Sequence, residues 1–484
     1  MSDLLGELRA GGVVEAEGRF TLDADKAREK LRQYQLADPH RYVLLLVEAM
    51  SLAGARQLEF AIDADDVRLR CIGRPFRYEQ LADLYASLFV EVDATLEARE
   101  RDHLRGLQQL AFALNSAMAL NPRFIRLESV DAEGRGVALV LEPERPDQLT
   151  RIEKAEPGTR IHVRDRFRPG LVVEFFRSIG GGVAEQKLLR KHCRWSPLTI
   201  VLDGETISGP LEFEGEAWYA EPITIESRTI GRAAIHMMPR GAAQLGPAHV
   251  DLLCNGVWIE RVELEGMVAG FAAIVDDGQL RRDVSQTQVL RDATFERLVA
   301  HLQAIEAKLV ARLAERWLEA RARDQVGPVW AEPTLREWLG KRPIAALARP
   351  SQDPSLLAVT KVPLWRGLAD ARLTTLALIE TDPLYYTRQP FGFCPRELTF
   401  VLDLCDDEEY ELFAKLFGKR GFDSAPTLQR IRERDRQRTN FLSRQHPAQL
   451  AEGYYLRREP VVGKLAGTDT SITGEIGLRS LGHR

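Results

Sequence analysis

Four short stretches carry the side chains able to do chemistry. Glu48 stands alone among apolar residues in YVLLLVEAMSLAGA (42–55). A carboxylate there can act as a base, or serve as a solvated or interdomain charge. Cys71 and Gly73 fall in RCIGRPF (70–76). A thiol is a poor hydrogen-bond acceptor and reads more simply as a small buried hydrophobe, while a glycine before Pro75 suits a turn. LAFALNSAMAL (110–120) holds Asn115, whose amide can reach a phosphate or metal only if the segment unwinds. Against unwinding, Ala111 and Ala113 each favour continuous helix by ~1 kcal/mol over glycine. Gly106 lies just upstream and is isolated. Thr159 enters a strand in GTRI (158–161), where a Gly-Thr pair is common.

These stretches sit in a chain of 484 residues, too long for one core and suited to two to four domains. Hydrophobic residues make up 45% and charged residues 28%, which is ordinary for a globular protein. A formal net charge of −5 argues against nucleic-acid binding by bulk electrostatics. The five cysteines (Cys71, Cys193, Cys254, Cys394, Cys405) are scattered and form no CxxC, which suggests reduced thiols and a cytoplasmic protein rather than a disulfide framework or zinc site. The N-terminal stretch has no signal pattern, and no run approaches the ~18 apolar residues of a membrane span.

The elements that must position the four stretches follow from periodicity. Residues 38–55 read as a helix with Asp38 as cap, Pro39 in the first turn and Gly54 at the stop. Two short strands surround an acidic turn over 56–71. Helices are expected over 77–89 and most of 94–120, then a hairpin pair at RFIRLESV and GVALVLEP, then a strand at GTRIHVRDRF. Helix inserted among strands gives a two-layer α/β domain over 15–165. A helix, a strand and an Asp-Gly turn follow, opening a second unit at 166. From Ala293 to about Arg323 one long helix is expected, because Phe295, Leu298, Leu302, Ile305, Leu309, Leu313 and Trp317 form a single apolar stripe. The proline-rich stretch 326–355 reads as a linker. Residues 356–484 read as a small α/β domain, with strands at LLAVTKVPLWRG, LYYTRQ and LTFVLDL and helices at LTTLALIE and DDEEYELFAKLFG. Its arginine-dense segment 430–446, interleaved with acids, is read as a solvated helix face rather than a phosphate-binding patch. The aromatic cluster at 384–393 belongs either to a core strand or to a binding surface. The final SITGEIGLRSLGHR ends on a strand whose edge could pair with a partner.

This order of helix, strands, GRPF, LAFALNSAMAL and GTRI resembles the GHKL clan, which joins DNA gyrase, the ninety-kilodalton heat-shock chaperones, histidine kinases and mismatch-repair proteins. The stretch from HVDLLCNGVWIE through GMVAGFAAIVDDGQLRRDVSQTQVLRD resembles the middle domain of the heat-shock chaperones, and CRWSPLTIVLDGETI the strand that opens it. The resemblance spans roughly 20–325, about two thirds of the chain. It implies a GHKL-type two-layer α/β sandwich, then a chaperone-middle-like α/β transducer domain over 166–325, followed by the small C-terminal α/β domain.

Position by position, however, the resemblance implies that the catalytic groups are gone. The clan's water-activating glutamate and magnesium-binding asparagine fall at Leu45 and Ala49. Glu48, three residues from 45, lies ~60° around the helix. The adenine-accepting aspartate falls at Cys71, with Gly73 the retained glycine of that motif. Ala111 and Ala113 stand in the glycine places of the phosphate loop, where each Cβ obstructs close approach. Thr159 is kept. The middle-domain arginine falls at Gln286, which lacks the charge for a bidentate contact, and the loop asparagine at Asp283.

The expected function is therefore a pseudo-ATPase: a chaperone-like scaffold or client-binding protein, with little or no hydrolysis, no cofactor, and protein clients or partners. The alternative is an ATP- and magnesium-binding chaperone-type ATPase using Gly73, Thr159, Asn115 and Glu48 as its nucleotide-binding residues. A topoisomerase- or mismatch-repair-like DNA module fits less well. Homodimerisation is open, because the C-terminal third does not resemble the chaperones' dimerisation domain.

Overall fold

The structure, a computed structural model, describes residues 38–63, 65–89, 95–165, 183–215, 217–236, 245–283, 285–322, 331–347, 349–368, 372–391, 401–445, 455–464 and 471–479. The chain divides into two compact units, the first drawn from residues up to His236 together with His249–Leu264 and Ala272–Leu302. Residues 15–37 at the start of the first expected domain, 166–182 at the start of the second, and Cys394 lie outside the described residues.

In the first unit a short 3-10 turn, Pro39–Arg41, is capped by the Asp38 carboxylate, which accepts from the His40 N–H at 3.0 Å. It leads into helix α1 (Tyr42–Leu52), which stops at Gly54 with φ +82°. Strands β1 (Gln57–Ile62) and β2 (Asp66–Cys71) alternate strictly enough to bury Leu58, Phe60, Ile62, Leu69 and Cys71 on one face. Helix α2 (Tyr78–Ala82) and a 3-10 turn at Leu84–Phe89 replace the single helix expected over 77–89. Helix α3 runs unbroken from Ala98 to Ala119. Strands β3 (Phe124–Val130) and β4 (Gly136–Leu141) form the expected hairpin, β5 (Gln148–Ile152) adds an edge, and β6 (Gly158–Arg164) returns to the centre.

Helix α4 (Ala184–His192) precedes β7 (Thr199–Leu202) and β8 (Glu205–Thr206). These two strands were expected to open the second domain. Instead β7 pairs parallel with β1, Leu58 opposite Ile200, and completes an eight-stranded sheet ordered β5-β4-β3-β6-β2-β1-β7-β8. The alternating apolar residues Ile200 and Leu202 are fully buried there, which fixes the register.

A second sheet, ordered β12-β11-β13-β10-β9, is built from β9 (Ala217–Ile225), β10 (Arg228–His236), β11 (His249–Cys254), β12 (Val257–Glu263) and β13 (Phe271–Asp276). Its inner strands β11 and β13 run parallel and read as near-continuous apolar runs, as strands covered on both faces do. Helix α5 (Ala293–Ala322) follows, started by Asp292, whose carboxylate accepts from the N–H groups of Thr294 and Phe295. All seven residues of its expected stripe are buried.

The second unit takes in the later part of α5 and the rest of the chain. Residues 326–355, expected to be a linker, instead carry helix α6 (Glu332–Gly340), with Leu335, Trp338 and Leu339 fully buried, then α7 (Ile344–Leu347) and a 3-10 turn at Pro350–Gln352. The prolines start helices here: Pro333 and Pro354 sit at first-turn positions, where a missing N–H costs nothing. The LLAVT segment, expected as strand, is helix α8 (Pro354–Thr360). A small ladder, β14 (Trp365–Arg366) with β15 (Arg372–Leu373), and helix α9 (Thr375–Glu380) precede a three-stranded parallel sheet ordered β17-β16-β18. Its strands are β16 (Leu384–Thr387), β17 (Val401–Asp403) and β18 (Gly421–Asp423), with α10 (Asp407–Phe417) crossing between the last two. The Tyr385-Tyr386 pair thus lies in the central strand. Helix α11 (Ala425–Gln445) keeps Arg432, Arg434, Arg436 and Arg438 exposed, the solvated face expected of it. Strands β19 (Tyr455–Lys464) and β20 (Ser471–Arg479) form an antiparallel ribbon, so the C-terminal strand expected from sequence is present.

Candidate functional site: a filled helix interface and a buried ion pair

Helix α1 is buried on every side from Tyr42 to Met50. Leu45 and Ala49, where the resemblance puts the base and the metal ligand, are 2% and 0% exposed. Helix α3 lies directly against the turn of α1 that carries Ala49. A Cβ added at Gly106 would stand 3.0 Å from the Ala49 carbonyl oxygen and 3.2 Å from the Leu52 Cβ, so the missing side chain at Gly106 lets the two helices close. Gly106, isolated in the sequence, is a packing contact.

Beyond Gly106, α3 stays helical through Ala111, Ala113 and Asn115, all fully buried. Their backbone N–H groups fall within the helical ladder and form no nest for an anion. Asn115 therefore stays inside the helix.

Gly73 and Thr159 come together at the end of the same sheet. Cys71, last in β2, is opposite Thr159 in β6. Burial pushes the Cys71 thiol up to about 12, so it stays protonated and offers no acceptor charge. The Thr159 hydroxyl lies 3.2 Å from the Ser129 hydroxyl, which accepts from the Phe76 N–H at 2.9 Å. This buried relay ties the GRPF turn to the sheet. Gly73 serves the same turn: a Cβ there would meet the Ala53 carbonyl oxygen at 3.1 Å, and Arg74 N–H donates to that oxygen at 2.8 Å.

Glu48 points elsewhere. Its two carboxylate oxygens accept from the two terminal nitrogens of Arg282, both at 2.7 Å. The side chains are 1% and 7% exposed, making a bidentate ion pair sealed from water. Arg282 lies in the segment after β13, so the pair ties α1 to the second sheet's trailing loop across 234 positions of sequence. Nearby, desolvation together with the Glu48 charge raises the Asp276 carboxyl to about 6, and burial raises the Cys254 thiol to about 12. Both Glu48 oxygens are thus engaged by Arg282 in a buried site.

Gln286, at the place of the clan's arginine, adopts φ +60° in a tight turn and directs its amide to the Asp283 carbonyl. Partial burial works against the Asp283 carboxylate, but bonds from the Ser285 hydroxyl and from the N–H groups of Gln288 and Thr287 outweigh it and hold the carboxyl below its usual range. This turn is self-contained. The arginine at this site that the sequence does not single out is Arg282, four residues before Gln286; its context, two adjacent arginines, gives no sign of which one is buried.

Past the C-terminal end of α1 lies an open cleft of about 1180 Å³, lined by Leu52, Ala53, Arg56, Cys71, Ile72, Gly73, Arg74 and Arg99 among others. Among the described residues no group of three or more His, Cys, Asp or Glu side chains is placed to hold a metal ion, and no helix is long and apolar enough to cross a membrane. No family model matches the chain, and no curated protein matches it.

Proposed function

We propose that this chain is a nucleotide-independent, heat-shock-chaperone-like scaffold that binds client or partner proteins, built on a GHKL-type fold with little or no ATP hydrolysis. The observation that carries the reading is the approach of α3 to α1 at Gly106, 3.0 Å from the Ala49 carbonyl to the Cβ position. The resemblance puts the clan's magnesium ligand at Ala49, and in this chain α3 packs against that turn of α1. The Glu48–Arg282 pair supports the same reading, because a carboxylate bound bidentate to arginine is a poor base. A cytoplasmic setting accords with the free thiols of Cys71, Cys193, Cys254 and Cys405.

The test is suppression of aggregation. The protein is added to a thermally denatured client, with and without ATP and magnesium, and light scattering is followed. The scaffold reading expects the same protection in both conditions and no phosphate release above the protein-free rate. Protection that requires ATP, or steady hydrolysis, would contradict it.

A further inference from the structure

We propose that the cleft beyond the end of α1 is a docking site for an acidic segment of a partner protein, one that carries an apolar residue among carboxylates. The cleft is walled by the last turn of α1 and its Gly54 stop, by the open face of β1 and β2 (Gln57, Glu59, Arg70), and by Arg99 and Asp102 at the N-terminal end of α3. Its charge is lopsided. Four arginines face two carboxylates, on a chain whose net charge is −5.

Arg70 is held by Glu156 at 2.6 Å. Arg56, Arg74 and Arg99 are exposed, and none of them has an acidic partner among the described residues. Most other surface arginines of the same sheet are paired: Arg68 with Asp66, Arg126 with Glu128, Arg160 with Glu156, Arg164 with Asp65 and Asp66. Three guanidinium groups left open in one concavity are matched by carboxylates from outside, which arginine binds in a planar, bidentate fashion.

Ile72 fixes the apolar part of the ligand. It is 73% exposed, the most exposed large hydrophobic among the described residues, and it stands between Cys71 and Gly73 on the cleft wall. An apolar anchor ringed by arginines is the arrangement of a protein-binding hot spot. The open form and a volume above the ~300–1,000 Å³ of small-molecule pockets favour a chain segment over a small anion.

This assignment rests on the scaffold reading, and the two fail separately. The probe is a short fluorescein-labelled peptide with one leucine flanked by aspartates and glutamates, followed by fluorescence polarisation against the full chain. Saturable, salt-sensitive binding is expected, weakened about tenfold or more by the triple variant Arg56→Gln/Arg74→Gln/Arg99→Gln and several-fold by Ile72→Ser. All four side chains are exposed, so these variants leave the core intact. The charge-reversed triple variant (each arginine to glutamate) should lose the acidic peptide and gain its lysine-substituted counterpart. Wild-type affinity in the triple variant, or no binding of the peptide, would overturn the assignment. So would tripolyphosphate binding to the same arginines more tightly than the peptide, which would mark a small-anion site. ATP-dependent client protection with unaltered peptide binding would overturn the scaffold reading alone.

Discussion

Replacing Arg282 with methionine strands the Glu48 carboxylate in a site where its own side chain is 1% exposed. Breaking a buried pair from one side costs ~3–5 kcal/mol, because the remaining charge has lost its partner without regaining water. The apolar double variant Glu48→Met/Arg282→Met removes both charges and keeps comparable volume, and such replacements are commonly neutral or mildly stabilising. The cycle should therefore show a coupling of ~2–4 kcal/mol. Urea unfolding followed by tryptophan fluorescence reads it, with the transition of the first unit taken separately because two units are present. Additive single variants, or an Arg282→Met cost below ~1 kcal/mol, would refute the claim that this pair is a sealed tie between α1 and the segment after β13.

Other expectations follow from the same geometry. Gly106→Val should destabilise by ~1–3 kcal/mol despite the better helix propensity, since its Cβ would press on Ala49 and Leu52; an unchanged or raised melting temperature would show that α1 and α3 are not in close contact. Thr159→Val should cost ~1 kcal/mol by breaking the link to Ser129, and Ser129→Ala more, because it also strips the Phe76 N–H of its acceptor; equal melting of all three proteins would dismiss the relay. Burial raises Asp276 to about 6, so its charge costs stability as pH rises from the unfolded value near 4 through 6, and Asp276→Asn should gain most at pH 8 and little at pH 4. Burial lowers His103 and His192 to about 4, so the fold loses stability as pH falls from 6.5 towards 4; His103→Phe, which keeps the stack on Phe76, should flatten that slope, and an unaltered slope would clear His103.

Much of the first unit was legible because periodicity and caps agree there. Asp38, Pro39 and Gly54 bracket α1, and Phe295, Leu298 and Leu302 open the stripe that specifies α5 and continues to Trp317 in the second unit. Strand β5 was missed because its residues are exposed or half-buried, leaving no alternation to read. The prolines of 326–355 read as a linker in sequence, whereas two of them stand at helix starts. Strand β18 has three residues, Gly421, Phe422 and Asp423, too few for any period. At the site, the sequence leaves Glu48 open between a base and a solvated or interdomain charge. Its partner Arg282 was not readable, because pairing across 234 positions is decided by sheet topology rather than local pattern. Gly106 gave the same difficulty: its use appears only when α1 lies against it.

The central claim is most directly tested by isothermal titration of ATP into the full chain, with and without magnesium. The scaffold account predicts no saturable heat up to millimolar nucleotide in either condition. Saturable, magnesium-dependent binding that disappears in Thr159→Val would contradict it and restore a working nucleotide pocket.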